Sequence, residues 1–209
     1  MKKYPRNQLY PLNQAAEAAA GNKKTLFISA FFFLTGIFTG LFLELIMSPE
    51  EKSNLSLYLQ QYILTDSGSM EYPDPFFSSL ATNLLLLLII FLAGLSIFGF
   101  PAAMAALAYK GTALGFCTGL IAETLKNKGV IVILTSLLPQ NLLLIPAFIL
   151  AASAAINYAL FSLSKGRRPS AGKKSLKEAS GSYVAAILIL AAAIGLACGL
   201  ESALAPAVL

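Results

Sequence analysis

Long apolar runs separated by polar stretches are the main pattern along this chain. A helix needs about 20 apolar residues to cross the hydrocarbon core of a bilayer, and five runs are long enough. They are residues 25–47, 78–100, 102–122, 130–163 and 183–204. The first run is too long for a signal-peptide core and is not followed by a small-residue cleavage site, which indicates an uncleaved span. The pattern predicts an all-α integral membrane protein, a five-span helical bundle.

Composition agrees with this fold class and limits the domain organisation. Hydrophobic residues make up 57% of the 209 residues and charged residues only 12%, whereas soluble domains carry about 25% charged residues. Mean hydropathy is +0.73. No polar stretch is long enough for a separate soluble domain. We predict a cytoplasmic N-terminal segment at 1–24 and a single transmembrane domain at 25–209.

Basic residues are concentrated in two polar segments, and this concentration predicts the orientation. Segment 1–24 and loop 164–180 together hold 11 of the 15 lysines and arginines. By the positive-inside rule both lie in the cytoplasm, whereas segment 48–77, with five acidic residues and one lysine, lies outside. Four crossings before residue 164 and one after it satisfy this, with the N-terminus in and the C-terminus out. A re-entrant loop at 102–122 is the weaker alternative, because it would place loop 164–180 outside.

The residue types present argue against several kinds of chemistry. The chain has no histidine, and its two cysteines, Cys117 and Cys198, lie inside apolar runs. Neither a metal-ligand cluster nor a pair of catalytic acids is found. We therefore predict no catalytic site, no metal and no cofactor. The net charge of +5 is interpreted as a topology signal and not as a nucleic-acid site; loop 164–180 is also a plausible contact for anionic membrane lipids.

Glycines recur at four-residue spacing in three of the predicted spans. They are Gly36 and Gly40, then Gly111, Gly115 and Gly119, and finally Gly195 and Gly199. Four residues is about one helical turn, so each set lies on one face and allows another backbone to approach closely. Packing within the bundle is the favoured interpretation, and formation of a homo-oligomer through one of these faces is the alternative. The three glycines of the third span predict that it is the centre of the bundle.

Lys110 is predicted to lie at membrane depth. It is about 12–14 Å along its helix from Pro101 at 1.5 Å per residue. A charge there costs several kcal/mol unless it reaches the interface or is paired. Two interpretations remain open: the ammonium caps backbone carbonyls or reaches the interface, or it binds an anionic ligand or lipid.

The fourth span contains a polar dyad between two prolines. Pro139 and Pro146 each remove one helical hydrogen bond and free a carbonyl about one turn back. Gln140 and Asn141 carry donors and acceptors that can satisfy those carbonyls or contact Lys110. The favoured interpretation is a proline-broken helix with its own polar repair. The alternative is a discontinuous helix that binds an ion or a substrate, as in transporters.

Segment 48–64 predicts a short amphipathic helix on the outer side. Ser48 is a candidate N-cap with Pro49 at the first helical position and Glu51 three residues after the cap, which is a capping-box pattern. One face carries Leu55, Tyr58, Leu59, Tyr62 and Ile63. Such a helix either lies on the outer leaflet or binds an extracytoplasmic protein through that face.

Several motifs resemble the stage II sporulation protein M family. They are "RNQLY" near the N-terminus, "YKGTALGFCTGLIAE" from residue 109, "KG" at 128–129 and "SLLPQNLLLIPAFILAASAAINYALFSL" from residue 136. Lys110–Gly111 and Leu138-Pro139-Gln140-Asn141 with Pro146 match the family pattern, while the loop at 164–180 and the last span are poorly specified by motif.

The resemblance implies a five-span membrane protein of endospore-forming bacteria that acts in engulfment of the forespore. It further implies a non-enzymatic scaffold in the septal or engulfing membrane of the mother cell. Its partners would be the wall-degrading stage II sporulation proteins D and P. The competing hypothesis is a transport or permease-like subunit that uses the broken fourth span and Lys110.

Overall fold

The computed structural model describes residues 22–64, 75–96, 99–125, 127–167 and 176–208, and the ordered elements in these ranges are helices. They are α1 (Lys23–Ile46), α2 (Pro49–Leu64), α3 (Pro75–Leu95), α4 (Phe100–Leu125), α5 (Asn127–Val132), a π-helical segment (Ile133–Leu137), α6 (Leu138–Arg167) and α7 (Leu176–Val208).

Five of these helices are long and apolar enough to cross a membrane. The candidate spans are Lys23–Ile46, Phe76–Leu95, Phe100–Leu125, Leu138–Ser164 and Lys177–Leu200. Each overlaps one of the five apolar runs of the sequence, so the predicted all-α, five-span bundle is confirmed; the fourth span begins at Leu138 and not at residue 130. The protein is a multi-pass membrane protein.

The arrangement of α1 and α4 supports a full third crossing. The two helices are parallel, because Gly36 lies against Ala108 and Gly40, further along α1, lies against Thr112. The 26 residues of α4 span about 39 Å at 1.5 Å per residue. A re-entrant loop at 102–122 is therefore not what the chain forms.

The ends of the helices agree with the charge-based topology. Thr25, beside the basic N-terminal segment, donates a hydrogen bond to Asn157 Oδ1 at 2.9 Å and lies 3.0 Å from Ser153 Oγ. Both partners lie in the C-terminal half of α6, which leads into loop 164–180. The two basic regions therefore adjoin the same end of the bundle, as an even number of crossings between them requires.

The centre of the bundle is α6 and not α4. Within the chain, 56% of the apolar stretch of α6 is buried, compared with 33% for α4. Its alanines make close packing possible, and Ala151, Ala152 and Phe148 are fully inaccessible. The prediction of a central third span was wrong because the three glycines of α4 all pack against a single helix, α1.

The apolar run at 130–163 is interrupted beside Pro139, at the start of the fourth span. The π-helical segment ends at Leu137 and α6 begins at Leu138. A π-helical turn holds an extra residue and accompanies the loss of an ordinary i→i−4 bond, and Pro139 has no N–H to donate such a bond. Pro146 lies inside α6, which continues to Arg167. The interruption therefore belongs to the first proline.

An aromatic stack holds α7 against α3 and α6. The Tyr183 ring lies between Phe91 and Tyr158, with centroid distances of 5.5 and 4.7 Å. Its hydroxyl donates to the Phe91 carbonyl at 3.0 Å. Gly94 provides the space, because a Cβ at that position would overlap the hydroxyl. Tyr183 is thus one of the buried residues that pack the last span, poorly specified by motif, against the bundle.

Replacing Tyr183 with phenylalanine is expected to lower the free energy of unfolding by about 1 kcal/mol, the usual value of one hydrogen bond. The ring remains, so the loss reports the hydroxyl alone. Titration of the purified protein with a denaturing detergent measures it. Tyr109→Phe is the control, because Tyr109 is 67% exposed; an equal loss in both variants would contradict the assignment.

Candidate functional site

Helix α2, which the charge pattern predicts to lie outside, begins with the capping box that the sequence predicts. The Glu51 amide N–H donates to Ser48 Oγ at 3.4 Å, and the Ser48 amide N–H donates to Glu51 Oε2 at 3.3 Å. The Ser48 hydroxyl also donates to Glu51 Oε2 at 2.7 Å. Only Met47 and Ser48 separate α1 from α2. The start of the outer helix is therefore held at the end of the first span.

The predicted docking face lies along α2. The backbone of all five positions is helical, and Leu55 is partly buried. The side chains of the other four lie outside the described residues: Tyr58, Leu59, Tyr62 and Ile63. Their register still places them on the face of Leu55. Docking through this face stays a prediction.

An ion cluster joins α2 to the bundle, and the sequence reasoning missed it. The Lys52 ammonium lies 2.9 Å from Glu44 Oε1 at the end of α1. It also donates to Glu123 Oε2 at 2.6 Å, at the end of α4. Hydrogen bonds to Glu123 and Glu44 raise the pKa of Lys52 above its ordinary value. The lysine therefore remains charged up to strongly alkaline pH, and the stabilisation is lost only as pH rises through the raised pKa.

Burial distinguishes the two carboxylates of this cluster. Glu44 is 3% exposed, whereas the Glu123 side chain is 54% exposed. Gly119 makes room for the buried one, because a Cβ there would lie 3.2 Å from Glu44 Oε2. The signal in the sequence was the single lysine of an acidic outer segment, but its partners are 8 and 71 residues away along the chain.

The other glycines of α1 and α4 face backbone. A Cβ at Gly36 or Gly40 would overlap carbonyl oxygens of α4, and a Cβ at Gly111 or Gly115 would overlap carbonyl oxygens of α1. These four positions are where the two helices approach most closely. Gly195 and Gly199 differ, because nothing lies within 4 Å of a Cβ built at either. Among the residues that the structure describes, no other helix comes close to the α7 pair.

Lys110 contacts Asn83, a residue that the sequence reasoning did not select. Its ammonium donates to Asn83 Oδ1 at 2.6 Å and lies 5.5 Å from the centre of the Phe148 ring. Asn83 is 4% exposed and donates to the Ser79 carbonyl at 2.9 Å. In the sequence, Asn83 could have been noticed as a polar residue directly before the leucine run of the second span.

The side-chain amides of Gln140 and Asn141 contact different partners. Asn141 Nδ2 donates to the Leu137 carbonyl at 2.8 Å, at the end of the π-helical segment. Gln140 Nε2 donates to Ser79 Oγ at 3.3 Å on α3. One amide therefore bonds back to the interrupted backbone, and the other joins α6 to α3.

Cys198 extends this polar contact to α7. The Ser79 hydroxyl and the Asn83 amide each lie 3.7 Å from its sulfur as donors. Both cysteines are free thiols. Among the residues that the structure describes, no three His, Cys, Asp or Glu side chains come together as metal ligands would.

Comparison with known proteins identifies one family. The family model described as Stage II sporulation protein M matches residues 29–206, which include most of the first span, the other four spans and α2. Searches of curated proteins and of solved structures gave no match.

Proposed function

Because this chain belongs to the Stage II sporulation protein M family, a family of sporulation-associated membrane proteins, we propose that it is a non-enzymatic membrane scaffold. It anchors and localises peptidoglycan-degrading partners, the stage II sporulation proteins D and P, during engulfment of the forespore. Its place in the cell is the septal or engulfing membrane of the mother cell.

One observation carries the proposal: helix α2, which the sequence predicts to be amphipathic and to lie outside, is held against the ends of α1 and α4. The capping box fixes where α2 begins, and Lys52 joins it to α1 and α4. By the charge-based topology this end faces the cell wall, where wall-degrading proteins act. Amphipathic helices commonly bind a partner protein by laying their apolar face in a hydrophobic groove on its surface.

The polar side chains at membrane depth support a structural use over a transport path. A transport path requires Lys110, Gln140 and Asn141 to face a common polar cavity. Each of the three makes a contact within the bundle: Lys110 donates to Asn83, Gln140 to Ser79, and Asn141 to the Leu137 carbonyl. Such contacts hold transmembrane helices together. They favour a rigid platform for α2.

Replacing Tyr58 and Tyr62 with aspartate is expected to abolish co-purification with the two wall-degrading proteins, a fall of at least about tenfold. Two charges on the apolar face of α2 cannot be desolvated in a partner groove. Affinity purification from membranes of sporulating cells measures the effect.

A matched control uses the same spacing on the opposite face of the helix. Ser53→Asp with Leu57→Asp adds two charges one turn apart, at positions that are both exposed. Co-purification is expected to persist in this variant. If the tyrosine variant inserts into the membrane and retains its partners, docking through α2 is refuted.

A further inference from the structure

We propose that Lys52 is the positioning residue of the outer docking surface. Paired with Glu44 and Glu123, it holds α2 in one direction across the outer ends of α1 and α4. It thereby fixes where the face of Leu55, Tyr58 and Tyr62 is presented. This inference rests on the proposed scaffold function.

The connection between α1 and α2 explains why such a residue is needed. Two residues, Met47 and Ser48, join the helices, and the Met47 amide N–H donates to the Glu44 carbonyl at 3.3 Å. This short connection and the capping box determine where α2 starts. They leave its direction open, because the backbone dihedrals of two linking residues act as a pivot. Side-chain contacts beyond the connection remove that freedom, because Lys52 pairs with Glu44 of α1 and with Glu123 of α4.

Lys52 lies where it can contact two spans at once. It is the fourth residue of α2, so its ammonium is close to the pivot and reaches Glu44 on α1 and Glu123 on α4 together. These two helices are themselves locked by their glycine contacts. Helix α2 is therefore bonded to both α1 and α4, the most closely packed pair of helices in the bundle, and not to α1 alone.

The burial of Glu44 predicts an order of effects among variants. A buried carboxylate that loses its cation is left as an uncompensated charge, which is strongly unfavourable. Loss of an exposed partner has a small effect, because water replaces it. Removing the charge of Lys52 is therefore expected to free α2 far more than removing the charge of Glu123.

Amide hydrogen exchange of Ser53–Leu64 in the full chain, reconstituted in lipid nanodiscs, tests this inference without any partner. Lys52→Gln is expected to speed exchange by at least about tenfold, and Glu123→Gln by about two- to fivefold. Glu50→Gln is the control, because Glu50 is an exposed acid in the same helical turn; its exchange is expected to remain unchanged.

A charge swap separates positioning from a general loss of stability. In Lys52→Glu with Glu123→Lys, the cation is moved to α4 and still lies beside Glu44 and the first turn of α2. Exchange is expected to return to within about twofold of the unmodified protein. For the unmodified protein, 1 M salt, where the Debye length is about 3 Å, is expected to speed exchange only about as much as Glu123→Gln does, because salt screens the exposed pair far more than the buried Glu44 pair.

The outcomes distinguish this inference from the scaffold proposal. Unchanged exchange in Lys52→Gln overturns the positioning role. Faster exchange together with normal co-purification also overturns it, while the tyrosine variant tests the scaffold function by itself. Faster exchange, reduced co-purification and recovery of both in the charge swap support it.

Discussion

Replacing Gly40 with alanine is expected to lower the free energy of unfolding of the bundle by about 3 kcal/mol, the effect of overpacking a tight contact. The added Cβ would overlap the Thr112 carbonyl oxygen and lie 2.7 Å from the Phe116 amide nitrogen. Both are backbone atoms of a neighbouring helix and cannot rotate away. Relief requires α1 and α4 to move apart along their whole contact. Titration with a denaturing detergent measures the change.

Gly195→Ala is the matched control for this prediction. Gly195 has the same four-residue spacing to its neighbour in a membrane helix, yet nothing lies within 4 Å of its added Cβ. Stability is expected to be unchanged or slightly raised, because alanine is favoured over glycine in a helix by about 1 kcal/mol. Equal losses in the two variants would refute the close approach of α1 and α4.

Replacing Asn83 with leucine is expected to cost about 3 kcal/mol of stability, the upper end of the range for a hydrogen bond to a charged group. Asn83 Oδ1 accepts the 2.6 Å bond from Lys110, and leucine offers no acceptor to that ammonium at membrane depth. The same detergent titration measures the loss. The asparagine is therefore expected to be one of the most sensitive positions of α3.

The double variant Asn83→Leu with Lys110→Met supplies the control. Removing both partners leaves no unsatisfied charge, so stability is expected to recover to within about 1 kcal/mol of the unmodified protein. A double-mutant cycle gives the coupling between the two sites. Strictly additive losses would show that Asn83 and Lys110 do not depend on each other.

The parts of the fold that depend on local sequence could be predicted. The five spans follow from run length and hydropathy, and the capping box of Ser48 and Glu51 follows from a spacing of three residues. The interruption beside Pro139 follows from its missing N–H. Each of these depends on a single contiguous stretch of the chain, which the sequence contains directly.

The partners of side chains across the bundle could not be predicted. Gly40 and Gly199 look alike in sequence, since each follows a glycine four residues earlier, but only Gly40 lies against another backbone. The contact of Lys110 with Asn83 likewise joins two residues on different helices, and nothing in the sequence pairs them. Which helix face meets which depends on the rotation and depth of each helix, and no single-sequence pattern contains these. For the same reason, the contact of Lys52 with Glu44 and Glu123 could not be predicted from the sequence.

The orientation of the bundle can be measured with single cysteines and a membrane-impermeant maleimide on intact cells. In a background of Cys117→Ser and Cys198→Ala, one protein carries Ser53→Cys in α2 and the other carries Ser170→Cys in the basic loop. We expect the first to be labelled from outside and the second only after the cells are permeabilised. Labelling of position 170 in intact cells, with position 53 protected, would show that the outer helix faces the cytoplasm and would contradict the scaffold at the cell wall.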